Sequence, residues 1–306
     1  MIATRDLSKR YGAIFALDRA TIAVPPGCTG LLGPNGAGKS TLIKLLLGLL
    51  QAGGGTARLE GLDQEREPLA LRRLVGYMPE HDCLPGDWQS QDFVQYMAQL
   101  HGLPRRAAIE RASDILFLVG LGEERYRAMG GFSTGMRQRV KLAQALVHDP
   151  RVVLLDEPTN GLDPQGRDEM LALIRRVVDE MGINVLVSSH LLADIERVAA
   201  WVVILSGGRV TVQGSLPGLA EAAPVITVRT HGTAAALAGS LRERGYRVAE
   251  AGVELEVEAS SPAVYDAIRD AAVATDSALL HLRRRTLSLE DVYLSSVEGA
   301  AEGRDG

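Results

Sequence analysis

The nine residues Gly33, Pro34, Asn35, Gly36, Ala37, Gly38, Lys39, Ser40 and Thr41 constrain this chain more than any other stretch. They follow the apolar run GCTGLLG and precede a leucine-rich segment, which predicts a short buried strand, a tight glycine loop and a helix beginning at Lys39. Glycines let successive backbone N–H groups turn inward around oxyanions, and a helix N-terminus adds a favourable potential. The pattern GxxxxGK[ST] therefore reads as a phosphate cradle. Lys39 would bridge the β- and γ-phosphates of a nucleotide, and the Ser40 hydroxyl would ligate Mg²⁺. Such a loop specifies binding and is silent on what the nucleotide is used for.

A second half-site lies in VVLLDEP. Asp156, at the end of an apolar strand, would hold Mg²⁺ through its water shell. The neighbouring Glu157 can orient and deprotonate an attacking water. Both carboxylates fall where open parallel sheets bind ligands, at the carboxyl edge. With no acceptor site in view, a water-activating acid favours hydrolysis over phosphotransfer.

A chain of 306 residues has material for about two domains. The net charge of −5 argues against a general nucleic-acid binder, which carries a basic surface. Cys28 and Cys83 form no CxxC pair, so a reducing compartment fits better than a disulfide or zinc framework. The N-terminus MIATRDLSKRYG is charged where a signal peptide is apolar. The longest apolar stretch, Leu42 to Leu50, is too short to cross a bilayer and contains Lys44. A cytosolic protein is expected, and any membrane crossing belongs to another polypeptide.

Residues 1–24 alternate apolar and polar positions around a Tyr11-Gly12 break, predicting antiparallel strands. In the helix after the loop, Leu42, Leu45, Leu46 and Leu49 fall on one side. From about Trp88 to Pro150 the texture is helical, with stripes Phe93-Met97-Leu100, Ala108-Ala112-Ile115-Val119 and Met136-Val140-Ala143-Val147, all read as core packing. Strand and helix then alternate through RVVLLD, 165–181, INVLVSS, 191–199, WVVILS and RVTVQG. The expectation is an α/β fold over 1–221, with a mixed sheet, an antiparallel β subdomain and a helical subdomain at 88–150. At Ala222-Ala223-Pro224 the rhythm becomes β-α-β-β-α-β, with helices over 233–245 and 262–274. That is a ferredoxin-like order for a small α+β domain over 222–298. A last helix opens at Ser288 with Asp291 as its cap partner, and the tail 299–306 reads as disordered.

Directly before the Asp-Glu strand, Phe132-Ser133-Thr134-Gly135-Met136 resembles the LSGGQ signature of the ATP-binding-cassette (ABC) family. Thr134 replaces its first glycine and Met136 its glutamine. Gly76-Tyr77-Met78-Pro79-Glu80 is similar to the family's Q-loop, Asn160-Gly161-Leu162-Asp163 to its D-loop, and Ser188-Ser189-His190 to its switch histidine. The resemblance spans about residues 1–220 in the family's order. It implies a P-loop NTPase cassette using ATP and Mg²⁺, with Ser40, Glu80 and Asp156 around the metal. It implies adenine stacking by Tyr11, γ-phosphate contact and water positioning by His190, and a dimer-organising role for Asp163. Ser133, Thr134, Gly135 and Met136 of one subunit would close on the γ-phosphate held by another, so that two ATP molecules are sandwiched. Glu80 stands where much of the family has glutamine and adds a negative charge. Thr134 adds a β-branched side chain where close approach is usual.

The same resemblance orders the possible uses of ATP. One cassette without a crossing segment fits a transporter subunit serving a separate integral membrane permease, as a homodimer or with a related cassette. The stretch HDCLPGDWQSQDFVQYM lies where the family receives that permease. Ribosome-associated relatives carry two cassettes, and DNA-repair relatives insert coiled coils or cysteine clusters, so no specific nucleic-acid partner is expected. GYMPE, STGM and LSLEDVYL are similar to cassettes of ABC-2 type exporters, peripheral on the inner face of the cell membrane. The alternative, an importer cassette with a ligand-sensing extension, calls for a β-barrel rather than β-α-β-β-α-β. The extension shows no catalytic constellation and reads as a dimerisation or regulatory domain.

Overall fold

The computed structural model describes residues 1–221, 225–231, 234–251, 254–258, 263–285, 290, 291 and 293. They fall into two units, Met1–Gly214 and a second within Ser215–Ser295. The first unit opens with β1 (Ile2–Tyr11), β2 (Ile14–Val24), β3 (Cys28–Leu32), α1 (Lys39–Leu46), β4 (Gly54–Leu59), β5 (Leu62–Asp63), α2 (Pro68–Leu74) and β6 (Val75–Met78). Three helices follow, α3 (Ser90–Leu100), α4 (Arg105–Leu118) and α5 (Thr134–Leu146). Alternation resumes with β7 (Val152–Leu155), α6 (Pro164–Asp179), β8 (Asn184–Ser189), α7 (Leu192–Val198), β9 (Trp201–Ser206) and β10 (Arg209–Ser215).

Two sheets result. One is ordered β2-β1-β4-β5, with β1 antiparallel to both of its neighbours. The other is ordered β10-β9-β3-β8-β7-β6, and its five strands from β9 to β6 are parallel. Every residue of β3 and β7 is buried, as expected of central strands covered on both faces. Leu42, Ile43, Leu45 and Leu46 of α1 share one core with Leu31, Leu154 and Leu186 of the parallel sheet and Leu7, Leu17 and Leu59 of the antiparallel one. The register fixes where chemistry can occur. Leu32 stands opposite Ser189, Leu155 opposite Val187 and Met78 opposite Leu155. The loops leaving β3, β6, β7 and β8 therefore open on one edge, where such sheets bind ligands.

Two apolar stripes differ from their periodicity. The chain leaves α1 after Leu46 through Gly48, at φ +65°, so Leu49 is 54% exposed instead of extending the buried face. On α3 the buried face is Phe93, Val94 and Ala98, while Leu100 is 61% exposed. The i, i+4, i+7 reading is thus offset by one position. Residues 51–87, left without elements in the sequence reading, supply β4, β5, α2 and β6.

His148, just past α5, stacks on His101 with centroids 3.8 Å apart, and its Nε2 lies 3.2 Å from the Val75 carbonyl. Burial first, then the His101 ring, hold His148 down at about 4 against the upward pull of that carbonyl. The unfolded chain takes up this proton near the ordinary 6.5, so the stabilisation is complete above that pH and lost as pH falls toward 4. His148→Gln should flatten the acid-side stability slope by about 1–2 kcal/mol, allowing for partial exposure. Denaturant melts at about pH 7.5 and about pH 5 read it; an unchanged slope removes His148 as its source.

The second unit begins with α8 (Leu216–Glu221), so the units divide between Gly214 and Ser215, ahead of the change in sequence texture at 222. It continues with β11 (Val225–Thr230), α9 (Ala235–Glu243), β12 (Val248–Ala251), β13 (Glu254–Glu258), α10 (Ala263–Ala274) and β14 (Leu279–Arg285). The sheet order β12-β13-β11-β14, antiparallel throughout, is the split β-α-β arrangement. Ile226, Val228, Leu255 and Val257 alternate toward Leu237, Leu241 and Ile268, giving this unit its own core. Ser288 and the tail 299–306 lie outside the described residues. Among the described residues, no helix is long and apolar enough to cross a membrane.

Candidate functional site

The loop between β3 and α1 is shaped by backbone that only glycine provides. Gly38 has φ +107°, and a Cβ there would lie 2.4 Å from the Ala16 carbonyl oxygen. A Cβ on Gly33 would lie 2.4 Å from the Leu205 oxygen. The loop therefore closes around open space: residues Asn35 to Thr41 line a cavity of about 450 Å³, faced by Glu80, Glu157, Asn160 and His190.

Lys39 folds across the base of this cradle. Its ammonium donates to the Gly33 oxygen at 2.7 Å and stands 3.1 Å from Glu157 Oε1, both side chains being 6% exposed. Ser40 Oγ donates to Asp156 Oδ1 at 3.0 Å, and Ser188 Oγ donates to the same oxygen at 2.9 Å. Burial raises the Asp156 carboxyl above its ordinary range; the two hydroxyls pull it back, while Glu80 and Glu157 push it further up. A carboxylate in that position gains from any cation, and a hydroxyl and a carboxylate converging from two loops are the hard oxygen donors that Mg²⁺ selects.

Glu157 sits at φ +50°, in the left-handed region that a side chain adopts at a cost. Its N–H donates to Ser188 Oγ at 2.9 Å, which holds the turn. Its Oε2 is 2.9 Å from His190 Nδ1. Oε1 is buried next to Lys39 without an aligned hydrogen bond. An acceptor left over beside a phosphate cradle suits a water poised for attack.

Glu80, beyond β6, reaches the same cavity. Its Oε1 accepts from Asn160 Nδ2 at 3.3 Å, and its main-chain oxygen accepts from Lys141 Nζ at 2.8 Å. The cradle, Asp156, Glu157, Glu80 and His190 are thus brought together. Tyr11 is half exposed at the β1–β2 turn with Lys9 Nζ 5.5 Å from its ring centre, and the hairpin residue lining the cavity is Ala16.

The signature residues sit elsewhere. Ser133 caps α5, its Oγ accepting from the Met136 N–H at 3.3 Å. Thr134, Gly135 and Met136 share with Gly161 and Asp163 a separate groove of about 610 Å³, and no residue lines both cavities. Asp163 caps α6 through the Gly166 N–H at 2.9 Å.

Sequence reasoning gave no role to Ser188, which bonds both acids of the site, or to Gln138 and Lys141, polar residues buried on α5. The available signals were the SSH run for Ser188 and, for Lys141, the rarity of lysine in this chain.

These features put the chain in the class of phosphate-loop nucleotide hydrolases. The family described as ABC transporter matches residues 17–160. An ABC transporter ATP-binding protein of Bacillus subtilis, YxlF, is 36% identical across 97% of this chain and 99% of its own length. The daunorubicin/doxorubicin resistance ATP-binding protein DrrA of Streptomyces peucetius is 35% identical, over 75% of this chain and 70% of its own. The bacitracin transport ATP-binding protein BcrA of Bacillus licheniformis is 37% identical over 68% of each chain. This chain belongs to the ABC transporter ATP-binding family and is an ATP-binding cassette ATPase. A solved ATP binding subunit of an ABC transporter, 30% identical, superimposes with a TM-score of 0.64 over 72% of this chain and 92% of its own. A dimeric bacterial ABC transporter cassette, 22% identical, shares the fold with a TM-score of 0.65 over 71% of this chain and 99% of its own.

Proposed function

We propose that this chain is the ATPase subunit of an ABC-2 type exporter, peripheral on the inner face of the cell membrane and driving a separate permease. Relatives named for drug resistance, bacitracin transport and Nod factor export support the direction of transport. The observation that carries the cycle is the separation of the two cavities. The signature nest of Ser133, Thr134 and Gly135 serves a phosphate only if a second cassette brings its own cradle to it. Nucleotide then binds the closed pair preferentially, and closure becomes the power stroke.

Within each cradle, the N–H groups of Asn35 to Thr41 and the Lys39 ammonium hold the phosphates, and Tyr11 stacks on adenine. Ser40 and Asp156, with Glu80 in reach, would hold Mg²⁺, which when bound neutralises charge on the phosphate oxygens. Glu157 orients a water and takes its proton. His190, bonded to Glu157 Oε2, fixes that carboxylate and faces the γ-phosphate. Asp163 orders the loop that meets the second cassette, and the second unit of the chain regulates or stabilises the pair.

The test is recovery of a tagged Glu157→Gln chain from detergent-solubilised membranes with ATP present, followed by mass spectrometry. A polytopic membrane protein in stoichiometric amount is expected. Recovery only from the soluble fraction, with ribosomal proteins or DNA, overturns the exporter reading.

A further inference from the structure

We propose that Ser188 is a positioning residue whose single hydroxyl fixes both the metal-binding acid and the water-activating acid. The proposal rests on the reading of Asp156 as a Mg²⁺ ligand and of Glu157 as the base.

Ser188 lies near the end of β8, after the buried apolar residues Val185, Leu186 and Val187, and is itself 0% exposed. A hydroxyl in such a place is costly unless it is bonded. This one is used in both directions. It donates its proton to Asp156 Oδ1 at 2.9 Å and accepts from the Glu157 N–H at 2.9 Å.

Each bond fixes a different group. The Asp156 N–H still meets the Met78 oxygen at 2.9 Å, but Glu157 turns to φ +50° and leaves the strand ladder. The Ser188 oxygen takes the N–H that this turn strands, and so sets the direction in which the Glu157 side chain leaves the backbone. His190, two positions on, meets Oε2 of the same side chain at 2.9 Å. Glu157 is therefore gripped at its N–H and at its carboxylate by one short stretch of chain. On Asp156, Ser188 and Ser40 both donate to Oδ1, at 2.9 Å and 3.0 Å. Two donors occupy both lone pairs of that oxygen, which leaves Oδ2 for a cation.

A strut and a positioning residue differ in what their loss changes. Ser188→Ala removes both bonds without adding bulk. Calorimetric titration of ATP with Mg²⁺ and with EDTA reads the Asp156 bond, and kcat at saturating Mg²⁺ reads the Glu157 bond. In Ser188→Ala the gain in ATP affinity from Mg²⁺ should shrink about tenfold and kcat should fall by about tenfold or more. Affinity in EDTA should stay within about twofold of the native chain, because the phosphate loop is untouched. Ser188→Thr keeps the hydroxyl and should bring both quantities back to within about threefold. A native Mg²⁺ gain and a native kcat in Ser188→Ala, with only a lower thermal midpoint, would make Ser188 a strut and overturn the proposal. So would a loss in one quantity without the other, or Ser188→Thr no better than Ser188→Ala. If Ser188→Ala does not fold, Ser188→Cys takes its place, since a thiol fills the space but is a weak donor and a weak acceptor. Glu157→Gln separates the proposal from the reading beneath it. Slow turnover in Glu157→Gln beside native-like Ser188 variants sinks the proposal alone. Native turnover in Glu157→Gln, or ATP affinity indifferent to Mg²⁺ in the native chain, removes the reading and the proposal with it.

Discussion

Glu157→Gln should reduce steady-state ATP turnover by about 10²–10⁴-fold while leaving ATP binding intact. The amide keeps an oxygen toward Lys39 and matches the carboxylate in shape, but it cannot accept the proton of the attacking water. Two details of the site sharpen the expectation. Glu157 is the only carboxylate within ion-pair distance of Lys39 among the described residues, so the neutral variant leaves a buried ammonium short of its counter-charge. MgATP brings negative charge to the same ammonium, and the variant should therefore gain more thermal stability from MgATP than the native chain does. In the proposed cycle closure needs ATP and reopening needs hydrolysis, so the variant should also accumulate as a dimer with MgATP, read by light scattering after size exclusion. Native turnover in Glu157→Gln would move the base elsewhere, with His190, 2.9 Å from Glu157 Oε2, as the next candidate.

The parts of this site that the sequence shows are those set by short-range rules. A glycine loop needing left-handed backbone must be adjacent in sequence, and so Gly33 to Thr41 is legible as a unit. Asp156 and Glu157 are legible because they end a continuous apolar run that becomes β7, buried at all four positions. Their convergence with the loop is not a local property. It follows from β3 and β7 both pairing with β8, a choice made by tertiary packing.

What stayed hidden has one common cause. Ser188, Gln138 and Lys141 act through bonds to residues 31, 22 and 61 positions away in the chain. No periodicity marks such contacts. Lys141 even interrupts an apolar helix face, where charge patterning assigns a lysine to solvent. The misplaced Leu49 and Leu100 show the opposite error: Leu49 continues the apolar run past the point where the backbone leaves α1, and Leu100, the last residue of α3, lies off that helix's buried face. In the second unit, by contrast, strict alternation in Ile226–Val228 and Leu255–Val257 faces its helices, and the β-α-β-β-α-β order was readable outright.

Lys39→Ala should weaken ATP binding itself, by about 10²–10³-fold, and the loss has two sources. The first is removal of the ammonium proposed to meet the β- and γ-phosphates, a charge-assisted contact in a site where both ion-pair partners are 6% exposed. The second is the carboxylate left behind. With Lys39 gone, Glu157 keeps His190 but loses its cation, and its uncompensated charge repels the incoming phosphates. The expected loss amounts to about 3–4 kcal/mol of binding free energy, comparable with the roughly 3–5 kcal/mol that breaking a buried pair from one side costs. The two sources separate in the double variant. Lys39→Ala with Glu157→Gln should bind ATP more tightly than Lys39→Ala alone, because it removes the repulsion without restoring the contact. Calorimetric titration of MgATP into the four chains measures both terms. Binding by Lys39→Ala within about threefold of the native chain would show that backbone N–H groups alone hold the phosphates. Equal affinities for the single Lys39→Ala and double variants would instead place the whole effect on the lost ammonium.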